Sequence, residues 1–253
     1  MKPKLCAEEL ERYDRQIYIQ DIGPAGQEKL KKAKIFICGV GGLGSPAAIY
    51  LAAAGIGEIT LVDYDEVVRS NLNRQVLHHE ADIGRRKVYS AKEKLSKLNA
   101  HVVVTTGCDA VTAQNAKRLV SGHDVIIDAL DNPETRYILN KAALDLGIVF
   151  IHGAVNGFEG RIMTVIPGKS TCLRCLYRGP VISTPKFPVI GVAPAVIGVL
   201  QATEAIKYIL GIGELLTDRL LTYDGLKLKW REFKVRKNPK CDHCGRMQEG
   251  RQS

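Results

Sequence analysis

Gly39, Gly41 and Gly44 stand in the stretch KIFICGVGGLGS, residues 34–45, and fit the spacing G-x-G-x-x-G. A turn built this way lets backbone N–H groups approach a phosphate at a helix N-terminus, where the dipole favours negative charge. Asp63 follows about twenty residues later, the spacing of a carboxylate that hydrogen-bonds ribose hydroxyls. Strand, glycine turn, helix, strand and acid together point to a nucleotide ligand.

The fingerprint alone does not choose between a nicotinamide dinucleotide and ATP. The stretch beginning at Asp63, DYDEVVRSNLNRQVLHHEADIGRRK, brings Arg74 and Lys87 toward the same strand ends, with Asn71 and Gln75 between. Cations suit a triphosphate, because charge develops on a leaving pyrophosphate. A dinucleotide's pyrophosphate is served largely by the helix N-terminus. Asp131, in DALDN, is a second carboxylate able to face the phosphates. It suits Mg²⁺, or an N-cap for the helix opening at Pro133. Nothing nearby forms a hydride-transfer acid–base pair, and His152, at a strand end, reads as structural.

Four of the seven cysteines form two C-x-x-C pairs, Cys172 with Cys175 and Cys241 with Cys244. Four thiolates make a closed tetrahedral Zn²⁺ site, which would be structural and would tie the C-terminal tail to the body. The long separation between the pairs also allows two independent turns with free thiols. His243 offers a substitute ligand. Cys38 and Cys108 are expected to be buried apolar residues. The N-terminus, MKPKLCAEELERYDRQ, has no apolar signal core, so the chain is expected to stay in the cytoplasm, where cysteine pairs favour metal over disulfides.

These residues need a frame to hold them. The chain has 253 residues, 45% of them hydrophobic, enough for one large α/β core. Strands are expected at 35–38, 58–63, 101–107, 124–131 and 148–155. Helices are expected at 8–32, 45–55, 85–98 and 133–147, the third burying a face from Tyr89 to Leu95 and Leu98. Alternation of this kind predicts a Rossmann-like, mostly parallel sheet with helices on both faces. Beyond 156 the pattern turns antiparallel, with a helix near 194–210, and the proline-rich 184–194 is expected to cross over the site. No run of 18 apolar residues predicts a membrane span. The net charge of +9 gathers in KLKKAK (29–34) and KLKWREFKVRKNPK (227–240). Trp230 and Phe233 apart, no aromatic stacking pattern accompanies the lysines, so this reads as a solvated face or a surface for an acidic protein, rather than a nucleic-acid site.

RYDRQ (12–16), GVGGLGS, LVDYD, SNLNRQ (70–75), GRRK, DALDN and the paired C-x-x-C motifs, in this order over residues 8–246, resemble the MoeB/ThiF/HesA family, relatives of ubiquitin-activating enzymes. The resemblance implies a single adenylation domain, 1–253, with a helical arm (1–33), a nucleotide-binding half (34–155) and a carrier-docking half bearing the zinc site (156–253). It implies that ATP and Mg²⁺ adenylate the C-terminal glycine of a small ubiquitin-like sulfur-carrier protein ending in Gly-Gly, releasing pyrophosphate. By the same resemblance Gly42 sits in the phosphate turn and Asp63 on the ribose. Asp65, Ser70, Asn71, Arg74, Gln75 and Lys87 bind the nucleotide, and Asp131 holds magnesium. Arg15 reaches ATP from the other subunit of a homodimer.

Many relatives carry a further cysteine in the crossover loop. Here no cysteine lies between 176 and 240, and Thr184 takes its place. A threonine hydroxyl is a poor nucleophile without a base, so adenylation alone is expected, with sulfur from a separate donor. No appended sulfur-transfer domain is expected before the end at Ser253. Competing readings are a nicotinamide-dependent oxidoreductase, an ATP-dependent tRNA-base dehydratase of the same superfamily, and an inactive half of a heterodimer. Molybdopterin synthesis, thiamine synthesis and tRNA thiolation all use enzymes of the family this chain resembles.

Overall fold

The computed structural model describes residues 4–178 and 188–245. Its strands are β1 (Lys34–Cys38), β2 (Glu58–Val62), β3 (Val103–Gly107), β4 (Val125–Asp128), β5 (Val149–Asn156), β6 (Glu159–Val165), β7 (Arg219–Asp224) and β8 (Lys229–Lys234). They form one eight-stranded sheet in the order β3-β2-β1-β4-β5-β6-β7-β8. The first five run parallel, and β6, β7 and β8 continue antiparallel.

The described helices are α1 (Ala7–Arg12), α2 (Asp14–Ile17), α3 (Gly23–Lys32), α4 (Gly44–Ala54), α5 (Lys87–Leu98), α6 (Ala116–Val120), α7 (Pro133–Leu146), α8 (Leu173–Leu176) and α9 (Val192–Leu210). The central strands β1, β4 and β5 are buried on both sides because both faces are covered there, whereas β8 is exposed along its length. Ile35, Ile37, Ile59, Leu61, Ile127 and Ile151 share one core with Leu51 of α4, Leu95 of α5 and Ile197 of α9. Phe36, Cys38, Ile126 and Phe150 point the other way, onto Leu139 and Ala143 of α7 and Leu173 of α8.

Several expectations are corrected here. The stretch 8–32 is three helices, because Gly23 takes φ +55 ahead of Pro24 and restarts the chain into α3. The buried face of α5 is Val88, Ala91 and Leu95, while Tyr89 and Leu98 are exposed. A 3.6-residue period groups 88, 91 and 95 on one side. β4 stops at Asp128, so Asp131 lies beyond the strand. Cys38 is buried as expected, whereas Cys108 is only partly so.

α9 is long and apolar enough, by length and composition alone, to cross a membrane. It is a core helix: buried Gln201 donates to the Asp128 and Ile151 carbonyls, and buried Glu204 accepts from Thr164 Oγ1 and the Leu216 N–H.

The strand order reverses between β1 and β4, which makes their carboxyl ends the switch point of the sheet. Ligands in open α/β sheets bind in the crevice that opens there.

Candidate nucleotide site and metal centre

At that switch point lies a cavity of about 870 Å³. Gly39, Gly41 and Gly42 form its floor, Asp63, Asp65 and Lys87 one wall, and Ala129 to Arg136 another, with Arg74, Gln75 and Pro194 at the rim.

The glycines are there for steric reasons. Gly39 has φ +93, and a Cβ on it would lie 2.6 Å from the Ala129 carbonyl oxygen. A Cβ on Gly44 would fall 1.9 Å from the Gly39 oxygen, so α4 could not start where it does. Gly42 is less tight, with Pro194 Cγ at 3.1 Å. Among the described residues, the Gly41 and Gly42 N–H groups have no acceptor. They are donors at a helix N-terminus, facing a cavity.

Asp63 accepts from the Val40 N–H at 2.7 Å and the Asp65 N–H at 2.9 Å. Burial raises its pKa, opposed by Lys87 and by these two N–H groups. Lys87, the first residue of α5, places Nζ 2.7 Å from Asp65 Oδ2. Arg74 turns back to the Ser70 carbonyl and Asn73 Oδ1, both at 2.9 Å. Gln75, buried against the cavity, has no partner for Oε1. Asn71 and Ser70 do not line the cavity: buried Asn71 accepts from the Val68 N–H and fixes the turn before Arg74.

The two readings of Asp131 separate here. Asn132 is the N-cap of α7, its side chain accepting from the Thr135 N–H at 2.9 Å. Asp131 is left exposed on the cavity wall, an oxygen donor of the kind Mg²⁺ takes.

Arg15 is not at this cavity. It lies on α2, exposed, beside Gln16, which donates to the Ala54 carbonyl at the far end of α4. Eleven residues of helix separate that end from the glycine turn, about 16 Å at 1.5 Å per residue.

The four cysteines of the C-x-x-C pairs converge, buried, with all their Sγ atoms within 4.8 Å of one another. Cys172–Cys241 measures 3.7 Å, Cys175–Cys244 3.5 Å and Cys172–Cys175 4.0 Å. A tetrahedral site with Zn–S bonds of about 2.3 Å has sulfur–sulfur edges of about 3.8 Å, so the donor set fits. Burial first, then Cys175 and Cys241, push the metal-free Cys172 thiol up to about 12. His243 is not a ligand in this arrangement. Asn140 donates to its Nδ1 and accepts from the Leu173 N–H, tying the two knuckles to α7. A second trio, Cys6, Glu9 and His101, also clusters. There Lys31 already sits 2.6 Å from the Glu9 carboxylate, which opposes a cation.

The motif order over this sheet matches the ThiF family across residues 13–243. The chain belongs to the ThiF family. The sulfur carrier protein adenylyltransferase of Thermus thermophilus is 42% identical over 248 residues, which cover 94% of this chain and 92% of that protein. The adenylyltransferase and sulfurtransferase MOCS3 of Drosophila persimilis is 40% identical over 247 residues, 95% of this chain and 55% of that one. This chain thus spans about half of that longer relative. The crystal structure of E. coli MccB with ATP superposes with a TM-score of 0.83 at 27% identity, over 92% of this chain and 74% of that one.

Sequence reasoning missed part of what this ThiF-family chain buries beside the cavity. Asp128, at the end of β4, meets His152 Nδ1 at 2.7 Å, and both are fully buried. Arg136 lines the cavity with its Nε 3.6 Å from Asp128 Oδ1. DALDN carries two acids, and only the spacing of β4 tells which points inward. Thr184 and its neighbours 179–187 lie outside the described residues.

Proposed function

We propose that this chain uses ATP to adenylate the C-terminal glycine of a small ubiquitin-like sulfur-carrier protein, releasing pyrophosphate. One observation carries the reading. A single cavity unites unpaired glycine N–H donors, the Asp63 carboxylate and the cations of Lys87 and Arg74. A triphosphate with a leaving pyrophosphate calls for the last two more than a dinucleotide does, whose pyrophosphate is served largely by the helix N-terminus. The 42% identity to a protein named for sulfur-carrier adenylation supports the substrate class.

The chemistry joins two anions. A carrier carboxylate oxygen attacks the α-phosphorus of ATP, a new P–O bond forms, and the bond from the α-phosphorus to the bridging oxygen breaks, that oxygen leaving with pyrophosphate. No side-chain nucleophile is needed. The residues hold the partners in line and offset charge. Lys87 and Arg74 are the cations, the glycine N–H groups bind phosphate oxygens, and Asp63 holds the ribose. Asp131 is the residue fitted to Mg²⁺, which when bound neutralises phosphate charge. Arg15 serves a neighbouring subunit's cavity in a homodimer, since α4 separates it from its own. Cys172, Cys175, Cys241 and Cys244 hold a structural Zn²⁺ that fastens the tail after β8. The chain acts as one adenylation domain, in the cytoplasm, and sulfur comes from a separate donor.

The test is intact-mass spectrometry of a purified ubiquitin-fold carrier ending in Gly-Gly, incubated with this protein, ATP and Mg²⁺. The reading requires ATP-dependent gain of one adenylyl group at the carrier's C-terminus. No gain, combined with tight binding of a nicotinamide dinucleotide, would overturn it.

A further inference from the structure

We infer that His78 is a positioning residue for the phosphate turn: its ring holds the Val40 carbonyl and thereby aims the Gly41 N–H into the cavity. The inference rests on the nucleotide reading above.

His78 lies between the glycine turn and α5 and is 4% exposed. Its Nε2 is 3.0 Å from the Val40 carbonyl oxygen, and its Nδ1 is 2.9 Å from Ser90 Oγ. A carbonyl only accepts, so Nε2 carries the proton and Nδ1 accepts from the Ser90 hydroxyl. Ser90 Oγ in turn accepts from Lys94 Nζ at 2.8 Å, and Lys94 is paired with buried Asp82. Each donor along this chain therefore has one direction. His78 receives its orientation from α5, the helix that begins with Lys87.

The geometry of the turn follows. No peptide bond among the described residues is cis, so the N–H of Gly41 points opposite to the Val40 carbonyl. The Val40 N–H is held from the other side by Asp63 Oδ2 at 2.7 Å. With the carbonyl turned inward to His78, the Gly41 N–H faces outward, and Gly41 lines the cavity without an acceptor among the described residues. Burial, with Lys94 and Lys87 adding, lowers the His78 pKa to about 4; Asp82 and the Val40 hydrogen bond act in the opposite sense. The ring is thus neutral at physiological pH, which Nδ1 needs in order to accept.

Two variants test the role by calorimetric titration with ATP and, separately, with adenosine, which has no phosphates. His78→Phe keeps a planar ring without the donor, and His78→Gln keeps a donor. We expect His78→Phe to weaken ATP about tenfold, the scale of one lost charge-assisted contact, while adenosine affinity changes less than about twofold. His78→Gln should recover part of the ATP loss. Equal weakening of ATP and adenosine would show a merely structural role, and unchanged ATP affinity in His78→Phe would also overturn the inference. Wild-type protein that binds neither ligand would instead sink the nucleotide reading. Nitrogen-15 NMR of the free wild-type protein checks the hydrogen bond without any ligand or variant. The Nε2–H tautomer is required, and the Nδ1–H tautomer would refute the inference outright.

Discussion

Lys87 Nζ lies 2.7 Å from Asp65 Oδ2, so the buried cation of the cavity is paired before any nucleotide arrives. The two partners are unequal. The Lys87 side chain is 6% exposed and that of Asp65 is 50% exposed. A phosphate therefore competes with a half-solvated carboxylate, whose hold on the lysine is weakened by water. Asp65 keeps Lys87 extended toward the site without claiming it.

Lys87→Ala should cut carrier-dependent ATP–pyrophosphate exchange by about a hundredfold, the lower end of what losing one preorganised donor at developing charge costs. Thermal stability should change little, because the freed Asp65 remains solvated. Exchange rates and a melting curve on the same preparation check both halves.

Arg15→Ala should be comparably inactive if Arg15 works in the neighbouring subunit's cavity. Mixing it with Lys87→Ala, after dissociation and reassociation, should then restore part of the activity, because a mixed dimer contains one intact site. Two inactive variants whose mixture stays inactive would place Arg15 elsewhere.

Purified protein should contain one zinc per chain by metal analysis. Cys241→Ser or strong chelation should remove it and lower the melting temperature, since a closed four-thiolate site contributes folding energy. ATP affinity should survive within about threefold, because the cavity is lined by residues of the parallel half, apart from Val189 and Pro194.

Stability should fall with acid in a defined window. The His78 pKa drops from its ordinary 6.5 to about 4 in the fold, so between those values the unfolded chain takes up a proton that the native one does not. The stabilisation is complete above about pH 6.5 and is lost as pH falls toward 4, on the order of 3 kcal/mol in all. Buried His152, whose pKa burial also lowers against the pull of Asp128, acts in the same direction. Denaturant unfolding across pH 4 to 7 should show this slope, and His78→Gln should remove the His78 part of it.

The parallel half was legible because each element carries its own punctuation. Gly55 and Gly147 end α4 and α7 in the left-handed conformation, with φ +85 and +73, and Pro133 opens α7. The glycine turn, Asp63 and Lys87 follow from spacing, since βαβ units bring strand ends together. The cysteine pairs were legible as one four-thiolate donor set, but 65 residues of chain, Leu176 to Lys240, separate them, so local spacing left two independent turns open until the fold brought them together. His78 left no signal. It stands beside His79 in LHHE, and nothing local says that one ring is buried against Val40 while the other is exposed. The buried acid Asp128 went unread because β4 was expected to run three residues further, to 131.

In the proposed reaction the cations and glycine amides of this cavity let a carrier's carboxylate displace pyrophosphate from ATP. Exchange of labelled pyrophosphate into ATP measures that step directly, with and without a ubiquitin-fold carrier ending in Gly-Gly. Exchange should require the carrier and vanish when its terminal glycine is removed. Exchange that ignores the carrier, or none with any such carrier while ATP binds normally, would contradict it.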